Sequence, residues 1–255
     1  MRARLSLILP TLDERENVRT LVPELLSSVG DELHELLVVD DGSQDGTREL
    51  VAAFDDRRVR LIARDHDRGL TASLQAGVDA ARGELIGWMD ADGSMHASDV
   101  MRLLAAIDDG ADLAVGSRYA VGGSIKGQTS PGLFGRLKAL VARDLGSDGR
   151  LAIAASFALN AMILPLLLGG AAHDYTSGFL VARREIITKT RLIGDHGEYF
   201  ITLWMAASRA GARIVEVPIE LTPRRFGVSK TAPTLRVLVR RGVRYLSTAL
   251  RMRSS

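Results

Sequence analysis

Along the first 120 residues the apolar positions fall into short continuous runs separated by stretches of helical spacing. Leu5–Leu9, Glu35–Val39, Val59–Ala63, Glu84–Met89 and Leu113–Gly116 read as strands, and Asn17–Val29, Thr47–Phe54, Leu70–Ala81 and Ser98–Ile107 as helices. Strands that are apolar on both sides must be covered on both faces, so the alternation predicts a mostly parallel sheet between helical layers. In such sheets ligands sit beyond the carboxyl ends of the strands. The polar clusters of this chain fall there, after Leu9, Val39 and Met89.

The second half is patterned differently. Leu151–Ala172 contains no charged residue and by length could span a bilayer. Pro165 and the Gly169-Gly170 end oppose a simple span, so the leading expectation is a membrane-embedded or membrane-lying helix, with a buried core helix as the alternative. Asp174–Arg183 reads as a polar loop and short strand, Tyr199–Ala210 as a helix, and Arg213–Leu221 alternates apolar and polar residues. Thr234–Met252 is amphipathic, with Leu235, Leu238, Val239, Leu246, Ala249 and Leu250 on one face. Arg236, Arg240, Arg241, Arg244 and Arg251 lie on the other. A helix lying in an anionic interface carries this stripe, and so does a helix packed on its own domain. The expected organisation is a domain over 1–223, with an apolar membrane-facing helical insertion over 132–172, followed by a basic loop and amphipathic helix over 224–255.

Charge sharpens that division. The net charge of +2 conceals a tail from Arg224 to Ser255 with nine basic residues and no acidic one, leaving about −7 on residues 1–223. A basic tail on an acidic body points to an anionic partner surface. Phe226 and Tyr245 are the only aromatic residues in the tail, too few for aromatic interleaving, which argues against nucleic acid. The absence of cysteine excludes disulfides, zinc–thiolate sites and cysteine nucleophiles. The N-terminus shows no signal-peptide pattern, and the expected location is peripheral, on the cytoplasmic face of a membrane.

Asp90-Ala91-Asp92 follows the buried run Leu85–Met89. Alternation along extended backbone points both carboxylates the same way, about 6–7 Å apart. Two such carboxylates repel, and a hard divalent cation resolves the repulsion. A solvated turn is the competing reading. Asp40-Asp41-Gly42-Ser43 ends another strand, where acidic side chains can accept from ribose hydroxyls. Neither G-x-G-x-x-G nor the Walker pattern occurs, so ordinary dinucleotide and P-loop readings fail.

Taken in order, Pro10–Glu14, Asp40–Thr47, Asp90-Ala91-Asp92 and Gly116–Tyr119 resemble glycosyltransferase family 2. Asp174–Phe179, Glu216–Ile219 and Arg224–Lys230 are similar to its dolichyl-phosphate mannosyltransferase branch. The resemblance implies a GT-A-type, Rossmann-like three-layer α/β sandwich with C-terminal interfacial helices. It implies an inverting hexosyl transfer, with GDP-mannose the leading donor, onto a polyprenyl or dolichyl phosphate. It places Pro10, Leu12, Glu14, Val39 and Asp41 around the nucleotide, and Asp90 and Asp92 on a magnesium or manganese ion and the diphosphate. Ala91 contributes its backbone, Ser94 an oxygen for the metal, and Arg118, Arg224 and Lys230 bind phosphates. Asp174 is the acceptor-site or base candidate. The chain departs from the branch at Gly93-Ser94-Met95, where Leu-Gln-His is common, and at Leu12, where an aromatic is expected. Lys126 and Arg136 are both candidates for a further loop arginine position. A hydroxyl acceptor, another donor such as UDP-glucose, or a non-catalytic nucleotide-sugar-binding subunit are the competing functions.

Overall fold

The computed structural model describes residues 3–125, 128–129, 158–170, 172–194, 197–227 and 235–254. Most of the 132–172 insertion, Lys126, Arg136 and Lys230 lie outside the described residues.

The elements run β1 (Leu5–Thr11), α1 (Arg15–Val29), β2 (Leu33–Asp40), α2 (Thr47–Ala52), β3 (Val59–Ala63), α3 (Leu70–Ala80), β4 (Leu85–Trp88), α4 (Ala97–Asp108) and β5 (Leu113–Ser117). Two short strands follow, β6 (Ser124–Ile125) and β7 (Gln128–Thr129). A π-helical turn, Leu159–Ile163, leads into α5 (Leu164–Leu168). Then come β8 (Leu180–Arg183), α6 (Arg184–Thr188), α7 (Glu198–Arg209), β9 (Ile214–Pro218), β10 (Glu220–Leu221) and α8 (Leu235–Ser254).

Seven strands form one sheet in the order β3-β2-β1-β4-β8-β5-β9, parallel except for β8, which runs antiparallel to both neighbours. The period-two alternation expected of strands buried on both faces is explicit in β1. Leu5, Leu7 and Leu9 face the layer of α1 and α4, whereas Ile8 faces the layer of α3 and α7. This is the three-layer sandwich that the sequence pattern implies. What the pattern does not place is β8, which the chain inserts between β4 and β5 after an excursion of more than sixty residues. Its effect is to bring the Asp174–Phe179 segment, which enters β8, against the carboxyl end of β4.

Two further features bear on the apolar second half. Leu164 and Leu168 of α5 are buried in the α7-side core while Leu166 is 81% exposed, so α5 is a packed helix with one apolar residue facing out. Among the described residues no helix is long and apolar enough to cross a membrane. The amphipathic stripe of α8 is likewise divided. Thr248 and Ala249 are buried, and Tyr245 and Met252 pack on the same core, while Arg240, Val243, Leu250 and Arg251 face outward. Part of the stripe read from sequence is therefore a packing face against α7 and α5.

The turn from α3 into β4 depends on Gly83. A Cβ there would lie 2.4 Å from the Arg4 carbonyl oxygen and 2.7 Å from the Ser6 nitrogen, both rigid backbone atoms. The Gly83 and Arg82 amides donate to Ser6 Oγ at 2.8 and 3.2 Å, and Arg82 N also donates to the buried Glu35 carboxylate at 2.6 Å. Gly83→Ala is expected to lower unfolding free energy by about 1–3 kcal/mol, read as a lower urea midpoint at unchanged slope.

Candidate active site

Asp90 and Asp92 stand just beyond β4, the central strand, with the small Ala91 side chain turned into the α1–α4 core between them. Asp90 faces Gly178, where an added Cβ would lie 3.5 Å from Oδ1. Asp92 accepts from the Ser94 amide at 2.9 Å through Oδ1, and its Oδ2 lies 3.4 Å from Arg224 Nη2. Burial first, and then the charge of Asp92, push the Asp90 carboxyl up to about 7, against the opposing pull of Arg118 and Arg224. A carboxylate so crowded fits a divalent cation. Among the described residues no cluster of three or more His, Cys, Asp or Glu is present. An ion held here would take two protein carboxylates and leave its other positions to water and phosphate oxygens, the ligation magnesium and manganese accept.

Two arginines flank the pair from distant parts of the chain. Arg118, directly after β5, donates through Nε and Nη2 to the two oxygens of Asp174, each at 2.7 Å, and through Nη2 to Thr176 Oγ1 at 2.9 Å. Its guanidinium also sits 5.1 Å from the centre of the Tyr119 ring. Asp174 has no exposed surface and accepts further from the amides of Arg118 and Thr176, each at 3.2 Å. Glu216 of β9 fixes the preceding backbone, accepting from the Asp174 amide at 3.0 Å and the His173 amide at 2.9 Å. The candidate base is thus fully committed to holding Arg118.

Arg224 donates to both oxygens of the buried Glu14 at 2.8 and 2.9 Å. Glu14 accepts also from Asn17 Nδ2 at 2.6 Å, and Asn17 brackets the Phe226 backbone with bonds of 3.1 and 3.2 Å. The Thr222 amide donates to the Ser94 carbonyl at 2.9 Å, and the Arg225 amide to the Asp92 carbonyl at 3.1 Å. Gly93 has φ +72°, and a Cβ there would meet Arg225 Cδ at 2.7 Å. The departure at Gly93-Ser94 therefore has a local cause: Arg225 covers a left-handed glycine, and Ser94 uses both of its backbone groups in holding the loops.

On the nucleotide side the residues separate. Leu12 is 38% exposed and Pro10 half-buried, whereas Val39 is wholly inside the α3-facing core. Asp41 accepts from Arg64 Nη1 at 2.9 Å and the Gly69 amide at 2.6 Å, which ties the loop after β3 to the end of β2. The Arg68 guanidinium lies over Gly42, where a Cβ would be 2.5 Å from Nη2. Asp40 is internal to its loop. Burial opposes its charge, but hydrogen bonds from Ser43, Arg48 and Thr11 outweigh it and hold the carboxyl below the usual range. Arg64 and Arg68 were not singled out by the sequence reading, although their place just after a parallel strand marks them.

Glu14, Asp90, Asp92, Arg118, Asp174 and Arg224 are thus assembled in one site. Tyr199 of α7 joins them unannounced. Trp88 Nε1 donates to its hydroxyl at 3.2 Å, and burial together with the charge of Asp90 raises its ionisation above the ordinary range.

The sequence profile of glycosyl transferase family 2 matches residues 6–191. Polyprenol monophosphomannose synthase of Mycolicibacterium smegmatis is 37% identical over 236 residues, which cover 89% of this chain and 80% of that protein. Dodecaprenyl-phosphate galacturonate synthase of Rhizobium johnstonii is 30% identical over 243 residues, covering 92% of this chain and 64% of that protein, so the chain spans somewhat under two thirds of this relative's length. The fold is shared with a crystal structure of glucosyl-3-phosphoglycerate synthase from Mycobacterium tuberculosis in complex with Mn2+, UDP-glucose and phosphoglyceric acid. The TM-score is 0.71 at 18% identity, over 99% of this chain and 80% of that one.

The raised Asp90 ionisation has a sign that calorimetry can read. Its folded pKa lies above the unfolded value, so its contribution to stability is present at low pH and lost as pH rises through about 7. The metal-free protein is expected to lose at most about 4 kcal/mol from this group between pH 4 and pH 8. Manganese should restore the loss at pH 8, and Asp90→Asn should abolish both the loss and the restoration.

Proposed function

The chain belongs to glycosyltransferase family 2, and from that premise we propose that it transfers a hexose, mannose from GDP-mannose in the leading case, onto a polyprenyl phosphate at a membrane surface. The observation that carries this reading is the apposed Asp90–Asp92 pair with Arg118 and Arg224 on either side. That arrangement suits two phosphorus centres, a diphosphate leaving and a phosphate arriving. The acceptor class is supported by the names of two relatives, both polyprenyl-linked although their sugars differ.

A phosphate monoester is already largely ionised near neutrality, its second pKa being about 6. Its oxygen can attack the anomeric carbon, with inversion, without a strong general base. This agrees with an Asp174 sealed beneath Arg118. Asp90 and Asp92 would hold magnesium or manganese, which supplies neutralisation of the departing diphosphate. Arg224 stands between Glu14 and Asp92, placed to take a phosphate oxygen in addition. Arg118, with its orientation fixed on Asp174, presents its remaining edge to the acceptor.

Approach to a membrane is supported by the outward side of α8, where Val243 and Leu250 stand among Arg240, Arg251 and Arg253, and by exposed Leu166 of α5. Apolar residues among basic ones suit the boundary of an anionic bilayer.

Asp92→Ala is expected to lower transfer at least a hundredfold, measured as labelled sugar extracted into organic solvent as a mild-acid-labile lipid; retained turnover would sink the metal assignment. The same assay run with GDP-mannose, UDP-glucose and other donors decides the sugar. Sedimentation with anionic vesicles is expected to weaken in high salt and after Arg240→Glu with Arg251→Glu. Binding indifferent to both would remove the membrane surface from the proposal.

A further inference from the structure

Where α5, α7 and α8 meet they leave a groove of about 310 Å³, lined by Leu166–Leu168 of α5, Met205 and Arg209 of α7 and Arg253 of α8. Leu168 is turned into the core, whereas Leu166 is exposed and Leu167 and Met205 are half-buried. Gly169, in the left-handed region at φ +89°, stops α5 at the rim. A single exposed leucine is ordinary. Here two leucines and a methionine form a continuous apolar wall beside two arginines.

Both charged groups of the lining are cations, and among the described residues no acid lines the groove. Arg209 donates through Nη2 to the Met252 carbonyl in the last turn of α8, one of the carbonyls that a helix end leaves without a partner of its own. That bond ties α7 to α8 and holds the guanidinium at the groove, while Nε and Nη1 stay unengaged among the described residues. Arg253 is exposed, and its side chain has no ion pair or hydrogen bond among the described residues. Like charges brought to one groove without an acid repel, and an anion between them relieves the repulsion. Arginine forks match phosphate oxygens, and leucine and methionine accept a hydrocarbon chain. An anionic lipid carries both parts.

We propose that this groove binds one anionic phospholipid of the bilayer, its phosphate on Arg209 and Arg253 and the start of an acyl chain along Leu166, Leu167 and Met205. The proposal rests on the reading of α8 as a membrane-facing helix. Ligand pockets start at about 300 Å³, so this groove takes a phosphate and a few methylenes and leaves the rest of the lipid in the membrane. It is separate from the acceptor's place. Arg209 stands roughly 15 Å along α7 from Tyr199 at the helical rise, and Tyr199 is the part of that helix that reaches Trp88 beside the reaction centre. A lipid held in the groove sets how the face made by α5, α7 and α8 sits on the membrane and takes no part in transfer.

A short-chain lipid kept below its micelle concentration separates this site from general attraction to a charged surface. Titration of the full chain with monomeric dihexanoyl phosphatidylglycerol should saturate at one site per chain. A lost hydrogen bond to a charged group corresponds to roughly a tenfold change. Arg253→Gln should therefore raise Kd about tenfold, and Leu166→Asn, at an exposed position, should raise it severalfold, both with thermal midpoints near wild type. Arg240→Gln, outside the groove, should weaken sedimentation with phosphatidylglycerol vesicles and leave the Kd for the monomer unchanged. Absence of saturable binding, equal affinity for dihexanoyl phosphatidylcholine, an unchanged Kd in Arg253→Gln, or inorganic phosphate binding as tightly as the lipid would overturn the proposal. So would a concentration-dependent dimer lost in Leu166→Asn, which would assign the groove to a second copy of the chain. Vesicle binding without monomer binding would remove this site and keep the membrane surface; monomer binding without vesicle binding would remove the surface and keep the lipid site.

Discussion

Two carboxylates are crowded at the end of a buried strand, and burial first, then the charge of Asp92, raise the ionisation of Asp90, an imbalance that Arg118 and Arg224 oppose. Much of the surrounding architecture acts to hold the imbalance in place. Gly178 admits the Asp90 carboxylate without a side chain between. Ser94 and Arg224 fix Asp92 from opposite sides. On the proposed function such a site is completed by what it binds, since a divalent cation and its phosphates would supply the charge and the ligands that the protein leaves out.

The cations are themselves held by buried acids, and this sets their geometry. Arg118 is held on Asp174 through two of its nitrogens, which fixes its guanidinium plane, and Arg224 shares one nitrogen between both oxygens of Glu14, so both cations are anchored before a phosphate arrives. Preorganisation of this kind favours charge developing on the leaving and attacking oxygens over charge in solution. It also explains why acidic residues near the site need not act as bases: Asp174 and Glu14 spend their charge on orienting arginines.

The C-terminal region links the site to its surroundings. The 222–226 segment closes over Gly93 and Ser94, and α8 packs along α7 and α5 with Tyr245 directed inward. The outward residues of the same helix, basic with Val243 and Leu250 among them, are left to another surface. One helix thereby packs on the core with one side and leaves a basic, partly apolar side outward, because its 3.6-residue period separates the two.

Local pattern alone determined a good deal of this protein. Continuous apolar runs required a sheet covered on both faces, and the acidic triplet after the fourth of them fell beyond a strand's carboxyl end, where the structure turns the chain at Ala91 and Asp92 instead of continuing it extended. The ordered motifs brought the family with them. The pairing of Arg224 with Glu14 spans 210 residues, and nothing in either neighbourhood encodes it. The insertion of β8 between β4 and β5, which brings Gly178 to Asp90, depends on strand pairing across the fold. The stripe on α8 showed that one side must be buried, but a core and a bilayer accept the same apolar residues, so only the packed structure could assign Ala249 to the core and leave Leu250 outside. Sequence periodicity fixes which way a side chain faces along its own element; what it faces is set by contacts that close only when distant segments meet.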